Sequence, residues 1–300
     1  MSLGARNAAT NSDPLTRAQA VSTVADYLVA RGIGDAQEDA RALLRAATGL
    51  TRLELAMTPR APLSNEEARA LSRYAARRAA REPVSRILGE RGFWTLDLAV
   101  APSVLDPRPD TETLVETALR FVADRRDTPL SILDLGAGSG AIACALLSEL
   151  PAARAVAVDL SEDACAATAA NLARCGLSDR AAVVRGRWAA GLQARFDLIV
   201  SNPPYVRTGD IAGLDPEVRL HDPALALDGG ADGLECYREI IGDLPRLIDE
   251  HTVVAFEVGF DQAGSVAALL DAKGFKIERV ARDVGGHERV VAARLGPPRP

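Results

Sequence analysis

The sequence predicts an α/β fold, in which a mostly parallel β-sheet carries helices on both faces and is preceded by a small N-terminal helical bundle. Two observations lead to this prediction. Apolar, β-branched runs alternate with helical stretches along most of the chain, a rhythm typical of β-α-β units. The beginning of the chain is instead rich in Ala, Arg and Leu at helical spacing.

The pattern divides the 300 residues into three parts. Residues 1–85 are predicted to form short helices separated by glycine and proline, and Ser64 with Glu67 has the form of a capping box. In residues 86–106 an alternating segment predicts a hairpin or an extended linker. Residues 107–300 are predicted to form the α/β domain, with strands at 132–135, 155–158, 181–184, 196–200, 253–258, 277–280 and 290–293.

Composition and charge argue against several classes of protein. The net charge of -6 disfavours a protein that mainly coats nucleic-acid phosphates. We find no apolar run of membrane-spanning length, and residues 1–13 lack the apolar stretch of a secretory signal, so a cytoplasmic protein is predicted. The four cysteines and three histidines show no ligand spacing, and we therefore predict no metal site.

A glycine-rich turn follows the first predicted strand of the α/β domain. Gly136, Ala137, Gly138, Ser139 and Gly140 lead from this strand into a predicted helix, where backbone N–H groups can face a ligand. The spacing G-x-G-x-G differs by one residue from the G-x-G-x-x-G of dinucleotide-binding proteins, which disfavours NAD. A tight turn without a ligand is the alternative.

An acidic residue ends the second predicted strand. Asp159 lies 19 residues beyond Gly140 (159 − 140), at a position where a carboxylate can accept hydrogen bonds from both hydroxyls of a ribose. The alternative role is to cap the next helix, for which Ser161 is an equally good candidate. The preceding glycine turn favours ribose binding.

The most specific signal is the sequence Asn202-Pro203-Pro204-Tyr205 directly after a buried strand. Two prolines fix the backbone of this loop. The Asn202 side-chain carbonyl and the Pro203 backbone carbonyl can together hold both hydrogens of a planar NH2 group, and Tyr205 can stack on its plane. We therefore predict Asn202, Pro203 and Tyr205 as catalytic residues, and the whole loop as the binding site for an amide or amine nitrogen.

These three features resemble the class I methyltransferases that modify amide or amine nitrogens. Four further segments more narrowly resemble the release factor glutamine methyltransferase family: 89–94, 108–112, 256–259 and 283–290. The resemblance covers about residues 83 to 294, whereas the N-terminal helices are similar to the family only in length and character.

The resemblance implies a Rossmann-like class I fold with a seven-stranded sheet whose last strand is antiparallel. It also implies methyl transfer from S-adenosylmethionine to the glutamine side-chain nitrogen (N5) in the Gly-Gly-Gln motif of class I peptide chain release factors. Gly136 to Gly140 would then line the methionine and ribose region, Asp159 would bind the ribose, and Trp188 would lie beside the adenine. Asn202 would contact both cofactor and substrate. Arg187 departs from the family, which usually carries an acidic residue before this tryptophan.

Three other functions are compatible with parts of the pattern. A nucleic-acid methyltransferase acting on an adenine or guanine amino group would use the same loop, but it needs a basic channel and base flipping. Glutamine methylation of a ribosomal protein is a second possibility. A non-enzymatic cofactor-binding module is a third, although cofactor retention does not require the loop 202–205.

The helical region carries no catalytic signature. We predict that it docks the release factor, with Arg73, Arg77 and Arg81 as candidate contacts because they recur at helical spacing. Covering an apolar face of the catalytic domain is the alternative role.

Overall fold

The computed structural model describes residues 14–296. The chain divides into two compact units, Met1–Gly89 and Glu90–Pro300. The polar segment 1–13, on which the predicted absence of a secretory signal rests, lies outside the described residues, as do residues 297–300 of the predicted α/β domain. Within the described part, none of the helices combines the length and apolar character that crossing a membrane requires.

The first unit is a helical bundle with a core of its own. Side chains such as Val24, Leu43 and Leu71 are fully buried in this core. The predicted capping box is confirmed, since the Ser64 side chain accepts from the Glu67 N–H while the Glu67 side chain accepts from the Ser64 N–H. Its helices are α1 Arg17–Val29, α2 Ala36–Thr48, α3 Arg52–Met57, α4 Asn65–Ala79 and α5 Val84–Leu88.

The second unit alternates strands and helices, as the sequence predicts. Its strands are β1 Glu90–Phe93, β2 Leu96–Ala99, β3 Ser131–Leu135, β4 Arg154–Asp159, β5 Ala181–Arg185, β6 Leu198–Ser201, β7 Val253–Glu257, β8 Phe275–Arg282 and β9 Glu288–Leu295. Its helices are α6 Glu112–Phe121, α7 Ala141–Glu149, α8 Glu162–Arg174, α9 Pro216–His221, α10 Glu235–Asp243 and α11 Ala263–Asp271.

The large sheet has seven strands in the order β5-β4-β3-β6-β7-β9-β8. The five strands from β5 to β7 in that order pair in parallel, whereas β9 is antiparallel to both of its neighbours. The predicted mostly parallel sheet with an antiparallel last strand is therefore confirmed. β9 reaches its place because a tight turn after β8 sends the chain back between β8 and β7.

Helices cover both faces of this sheet. Because successive side chains of a strand point to opposite faces, Leu198 and Val200 of β6 join one core cluster and Ile199 joins the other. The first cluster is completed by α6, α7 and α8, and the second by α10 and α11. Burial on both faces explains why the central strands are continuous apolar runs.

The alternating segment after residue 90 forms a hairpin that packs against α8. β1 and β2 pair antiparallel. The Asn171 side chain accepts from the Ala99 N–H at 2.8 Å and donates to the Ala99 carbonyl at 3.0 Å. The Trp94 indole donates to Glu149 at 2.8 Å. These long-range bonds make the hairpin part of the second unit.

Candidate active site

The glycine turn after β3 has a backbone that only glycine adopts easily. Gly136, Gly138 and Gly140 have φ values of 74°, 57° and 78°. A Cβ on Gly136 would lie 3.3 Å from the Trp188 ring, and one on Gly140 would lie 2.9 Å from the Thr168 methyl. The turn therefore requires glycine for conformation and for space, and the Gly136 backbone lies close to the Trp188 indole.

Asp159, at the end of β4, holds the glycine turn and the start of α8 together. One carboxylate oxygen accepts from the Gly138 N–H at 2.8 Å, and the other accepts from the Ser161 N–H at 2.9 Å. Ser161 is the residue that caps α8, through the Ala164 N–H. Since a carboxylate can accept about four hydrogen bonds, Asp159 retains acceptor capacity for a ligand.

The Trp188 side chain is anchored by an acidic residue from α10. Its indole nitrogen donates to Glu239 at 2.9 Å. Arg187 donates to the two oxygens of the same carboxylate at 2.8 and 2.6 Å. This ion pair lowers the pKa of Glu239. Glu239 thus places a carboxylate from α10 beside Trp188.

The loop 202–205 leaves the C-terminal end of β6, where Ser201 donates to the Leu135 carbonyl at 2.5 Å. The Asn202 side-chain nitrogen donates to the Thr111 hydroxyl at 3.2 Å. Behind the loop, a Cβ on Gly229 would lie 2.8 Å from the Pro204 carbonyl, so the two backbones are in close contact. The loop is therefore supported on both sides.

The Tyr205 side chain points towards Glu257, at the end of β7. Its ring is largely buried, which raises the pKa of its hydroxyl, and this hydroxyl lies 3.5 Å from Glu257. Its backbone carbonyl accepts from the Gln262 side chain at 2.9 Å. Burial also raises the pKa of Glu257, to about 7, against the lowering effects of Thr111 and Arg289.

A cavity of about 270 Å³ lies at the C-terminal ends of β3, β4 and β6, where open α/β sheets bind their ligands. Gly140, Pro203 and Tyr205 do not line it: Gly140 packs against Thr168, Pro203 is buried, and Tyr205 faces Glu257. The predicted site residues that line it are Gly136, Ala137, Gly138, Ser139, Asp159, Trp188, Asn202 and Pro204.

Comparisons with known proteins agree with this architecture. A family model described as PrmC N-terminal domain matches residues 19–89, and one described as methyltransferase small domain matches residues 112–214. A release factor glutamine methyltransferase of Caulobacter vibrioides is 43% identical over 284 residues, which are 94% of this chain and 98% of that protein. The chain belongs to the release factor glutamine methyltransferase family.

A second member of this family, from Agrobacterium fabrum, is 45% identical over 270 residues, covering 89% of this chain and 93% of that protein. A methyltransferase of known structure from Pyrococcus furiosus is 15% identical, with a TM-score of 0.51 over 75% of this chain and 100% of that one. The latter likeness shows the fold alone, which is the class I methyltransferase fold that the sequence predicts.

Sequence reasoning did not identify three residues that shape the site in this member of the release factor glutamine methyltransferase family. Glu239 lies in the helical segment 235–243, where no local pattern distinguishes it. Thr111 and Glu257 fall in segments that resemble the family, and this resemblance was the one available signal for them. Among residues 14–296, no group of three or more His, Cys, Asp or Glu side chains could hold a metal ion.

Asp134, buried below the glycine turn, should make stability depend on pH. Burial raises its pKa from 3.8 to about 7, and the nearby Asp159 adds to this, whereas the Ala143 N–H opposes it. Because the folded state then binds the proton more tightly than the unfolded state, ionisation between pH 3.8 and about 7 lowers the free energy of unfolding.

We therefore expect Asp134→Asn, which cannot ionise, to gain stability relative to the wild type as the pH rises through this window, and to hold a constant difference above it. Urea unfolding of both proteins at several pH values measures this. A difference that does not change with pH would contradict an uncharged Asp134 in the folded state.

Proposed function

We propose that this chain transfers a methyl group from S-adenosylmethionine to the side-chain amide nitrogen (N5) of the glutamine in the Gly-Gly-Gln motif of class I peptide chain release factors. The observation that carries the proposal is a single cavity that brings the glycine turn, Asp159 and Asn202 together. The glycine turn and Asp159 suit a nucleoside, and Asn202 suits a planar amide. The assignment of a release factor as the protein that carries this amide comes from the names of the relatives.

The residues around the cavity fit S-adenosylmethionine. Trp188 lines the cavity, and its flat aromatic ring suits an adenine. Asp159 retains acceptor capacity for the ribose hydroxyls, and the glycine turn allows close approach of a ligand to the backbone. When bound, S-adenosylmethionine supplies a methyl group made electrophilic by the sulfonium sulfur.

The protein must also hold the amide nitrogen of the substrate, a poor nucleophile, in position for methyl transfer. The lone pair of an amide nitrogen is delocalised into the carbonyl group. The Asn202 side-chain oxygen can accept one of its N–H groups, which orients the nitrogen and favours positive charge on it. Pro203, whose carbonyl was predicted as the second acceptor, does not line the cavity. Fixing two reactants in this way contributes on the order of 7–11 kcal/mol in favourable cases. With the cofactor bound, an N–C bond to the oriented nitrogen would form as the C–S bond of the sulfonium breaks, giving S-adenosylhomocysteine, and the nitrogen would lose one proton.

Mass spectrometry after incubation with labelled S-adenosylmethionine tests this function. An intact release factor should gain one methyl group on the motif glutamine, and a release factor with alanine at that position should gain none. Label in nucleic acid would instead support an amino-group methyltransferase, and label in a ribosomal protein would support ribosomal-protein glutamine methylation. Either result, without label on the release factor, would refute the proposal.

We further propose that the helical unit docks the body of the release factor, because Gly-Gly-Gln alone is too small to select one protein. A chain shortened to residues 90–300 keeps both clusters of the sheet core. We expect it to fold and bind S-adenosylmethionine, but to lose most activity on intact release factor. Full activity would refute docking, and an insoluble product would favour a structural role for the helices.

Among the three arginines predicted as contacts, Arg73 is the best placed for docking. It is exposed on α4. Arg77 donates to Glu82 at 2.8 Å, and Arg81 donates to the Arg31 carbonyl at 2.8 Å, so both have roles within the helical unit. The charge reversal Arg73→Glu should therefore separate docking from folding better than changes at the other two positions.

A further inference from the structure

The Trp188 side chain is held on two sides of its ring. The indole nitrogen donates to Glu239 at 2.9 Å. On the opposite side of the indole, a Cβ on Gly136 would lie 3.3 Å from the ring atom Cζ3, so this edge lies close to the Gly136 backbone. All three residues line the cavity. The orientation of the ring therefore determines the shape of this part of the cavity.

The backbone of Trp188 adopts a conformation that bulky residues rarely take. Its φ is 47°, in the left-handed region, which persists only where surrounding contacts hold it. The Ala190 N–H donates to the Arg187 carbonyl at 3.0 Å. Arg246 donates to the Ala189 carbonyl at 2.7 Å. These contacts fix the backbone on the C-terminal side of Trp188, but they do not fix the ring, which needs an anchor of its own.

Glu239 can anchor the ring only if its own carboxylate is held in place. Its side chain is 40% exposed, and exposed side chains change rotamer rapidly. Arg187 restricts it, because Nε and Nη2 of the guanidinium donate to the two carboxylate oxygens at 2.8 and 2.6 Å. Such a two-point contact fixes the geometry of both groups. Neighbouring residues in the chain, Arg187 and Trp188, thus share one carboxylate.

The helix that carries Glu239 is itself fixed. Tyr237 of α10 is fully buried, and its hydroxyl donates to the Glu257 backbone carbonyl at 2.7 Å. Ile240 and Ile241 of the same helix are buried in the sheet core. The Glu239 carboxylate therefore extends towards Trp188 from a rigid base.

The ion pair contributes little to overall stability, because Arg187 is 61% exposed and exposed pairs are weak. It can nevertheless set the direction of one ring at the cavity wall. Substitutions of these two exposed side chains should leave the fold intact, so their effect on the ring can be measured.

We propose that Arg187 and Glu239 are positioning residues that hold the Trp188 ring in place before the cofactor binds. The inference rests on the proposed function, which places the adenine of S-adenosylmethionine beside this ring. A ring that is already in place does not have to be ordered on binding, which favours affinity. Arg187 departs from the acidic residue that the family usually carries at this position, so this way of holding the ring is a feature of this chain.

The first test observes the ring in the protein without cofactor. Trp94→Phe leaves Trp188 as the remaining tryptophan of the chain. In this background we expect Glu239→Met to add a nanosecond component to the decay of fluorescence anisotropy, because the indole can then rotate. Glu239→Gln keeps an acceptor oxygen and should leave the decay nearly unchanged. Identical decays with glutamate and methionine at this position would overturn the inference.

The second test measures affinity by calorimetry. S-adenosylhomocysteine is the probe because it lacks the sulfonium charge, so losing the charge of Glu239 has little direct effect on it. We expect Glu239→Met to weaken binding at least about fivefold, Arg187→Met about threefold and Glu239→Gln less than about twofold. Turnover at saturating S-adenosylmethionine should stay near the wild-type value. Wild-type affinity in Glu239→Met would contradict the proposed role.

A matched control exists at the other tryptophan. The Trp94 indole donates to Glu149 at 2.8 Å, and Arg126 donates to the second oxygen of the same carboxylate. These three residues do not line the cavity. Glu149→Met should therefore leave affinity for S-adenosylhomocysteine unchanged. Equal losses in Glu149→Met and Glu239→Met would show a general weakening of the fold and would also overturn the inference.

The last test separates positioning from direct contact, since Glu239 itself lines the cavity. Trp188→Phe keeps a flat ring but has no N–H for Glu239. In that background Glu239→Met should cause no further loss of affinity. Losses that multiply would mean that Glu239 acts on the ligand directly, and the positioning role would be wrong. Absence of S-adenosylhomocysteine binding by the wild type would overturn the proposed function instead, and the anisotropy test, which needs no cofactor, would still decide whether the ring is held.

Discussion

Replacing Asn202 with alanine is expected to lower kcat for release factor methylation by about a hundredfold or more, the size typical of losing one preorganised hydrogen bond to a reacting group. The Asn202 oxygen is assigned to an N–H of the glutamine, and its nitrogen is bound to Thr111. Affinity for S-adenosylmethionine should change only a few-fold, because the glycine turn and Asp159 remain. Single-turnover kinetics and calorimetry measure the two quantities separately.

Gln193→Ala provides a matched control for this variant. Gln193 is an exposed amide of the same unit that does not line the cavity, so its removal tests for a general effect of losing an amide. It should leave kcat unchanged. Near-normal methylation by Asn202→Ala would show that Asn202 does not hold the acceptor.

Structural features of this enzyme that are formed by residues close together in the sequence could be predicted from the sequence. The central strands of the large sheet were recognisable because burial on both faces demands continuous apolar runs. The glycine turn was recognisable because positive φ values at Gly136, Gly138 and Gly140 exclude most other residues. Ser64 and Glu67 lie three residues apart, and their capping box is likewise a local structure.

Features that depend on contacts between distant parts of the chain could not be predicted in this way. Asn202 and Thr111 are 91 residues apart, and Glu239 is 51 residues beyond the indole that it binds. The hairpin belongs to the second unit through Asn171, 72 residues beyond Ala99. No local periodicity encodes such pairs. Arg187 shows the consequence: nothing in the sequence indicated its ion-pair partner Glu239, which the fold brings from α10.

Contacts that the sequence did not reveal also change the expected effect of a substitution at Asp159. Asp159 was predicted to bind the ribose of S-adenosylmethionine. In the structure its two oxygens also accept from the N–H groups of Gly138 and Ser161. Alanine at this position should therefore remove the proposed ribose contact and loosen the glycine turn at the same time. Both effects are expected to weaken cofactor binding.

We expect Asp159→Ala to weaken binding of S-adenosylmethionine and S-adenosylhomocysteine by roughly 2–4 kcal/mol, the loss of two hydrogen bonds to a charged acceptor. This corresponds to about 30-fold to 1000-fold in Kd, measurable by calorimetry. Asp159→Asn keeps one acceptor oxygen and should lose less. Ser161→Ala removes the cap of α8 but leaves the Asp159 carboxylate, so it should weaken binding far less. The affinity lost in this control measures how much of the Asp159→Ala effect comes from local unfolding. Unchanged affinity in a folded Asp159→Ala protein would remove Asp159 from the cofactor site.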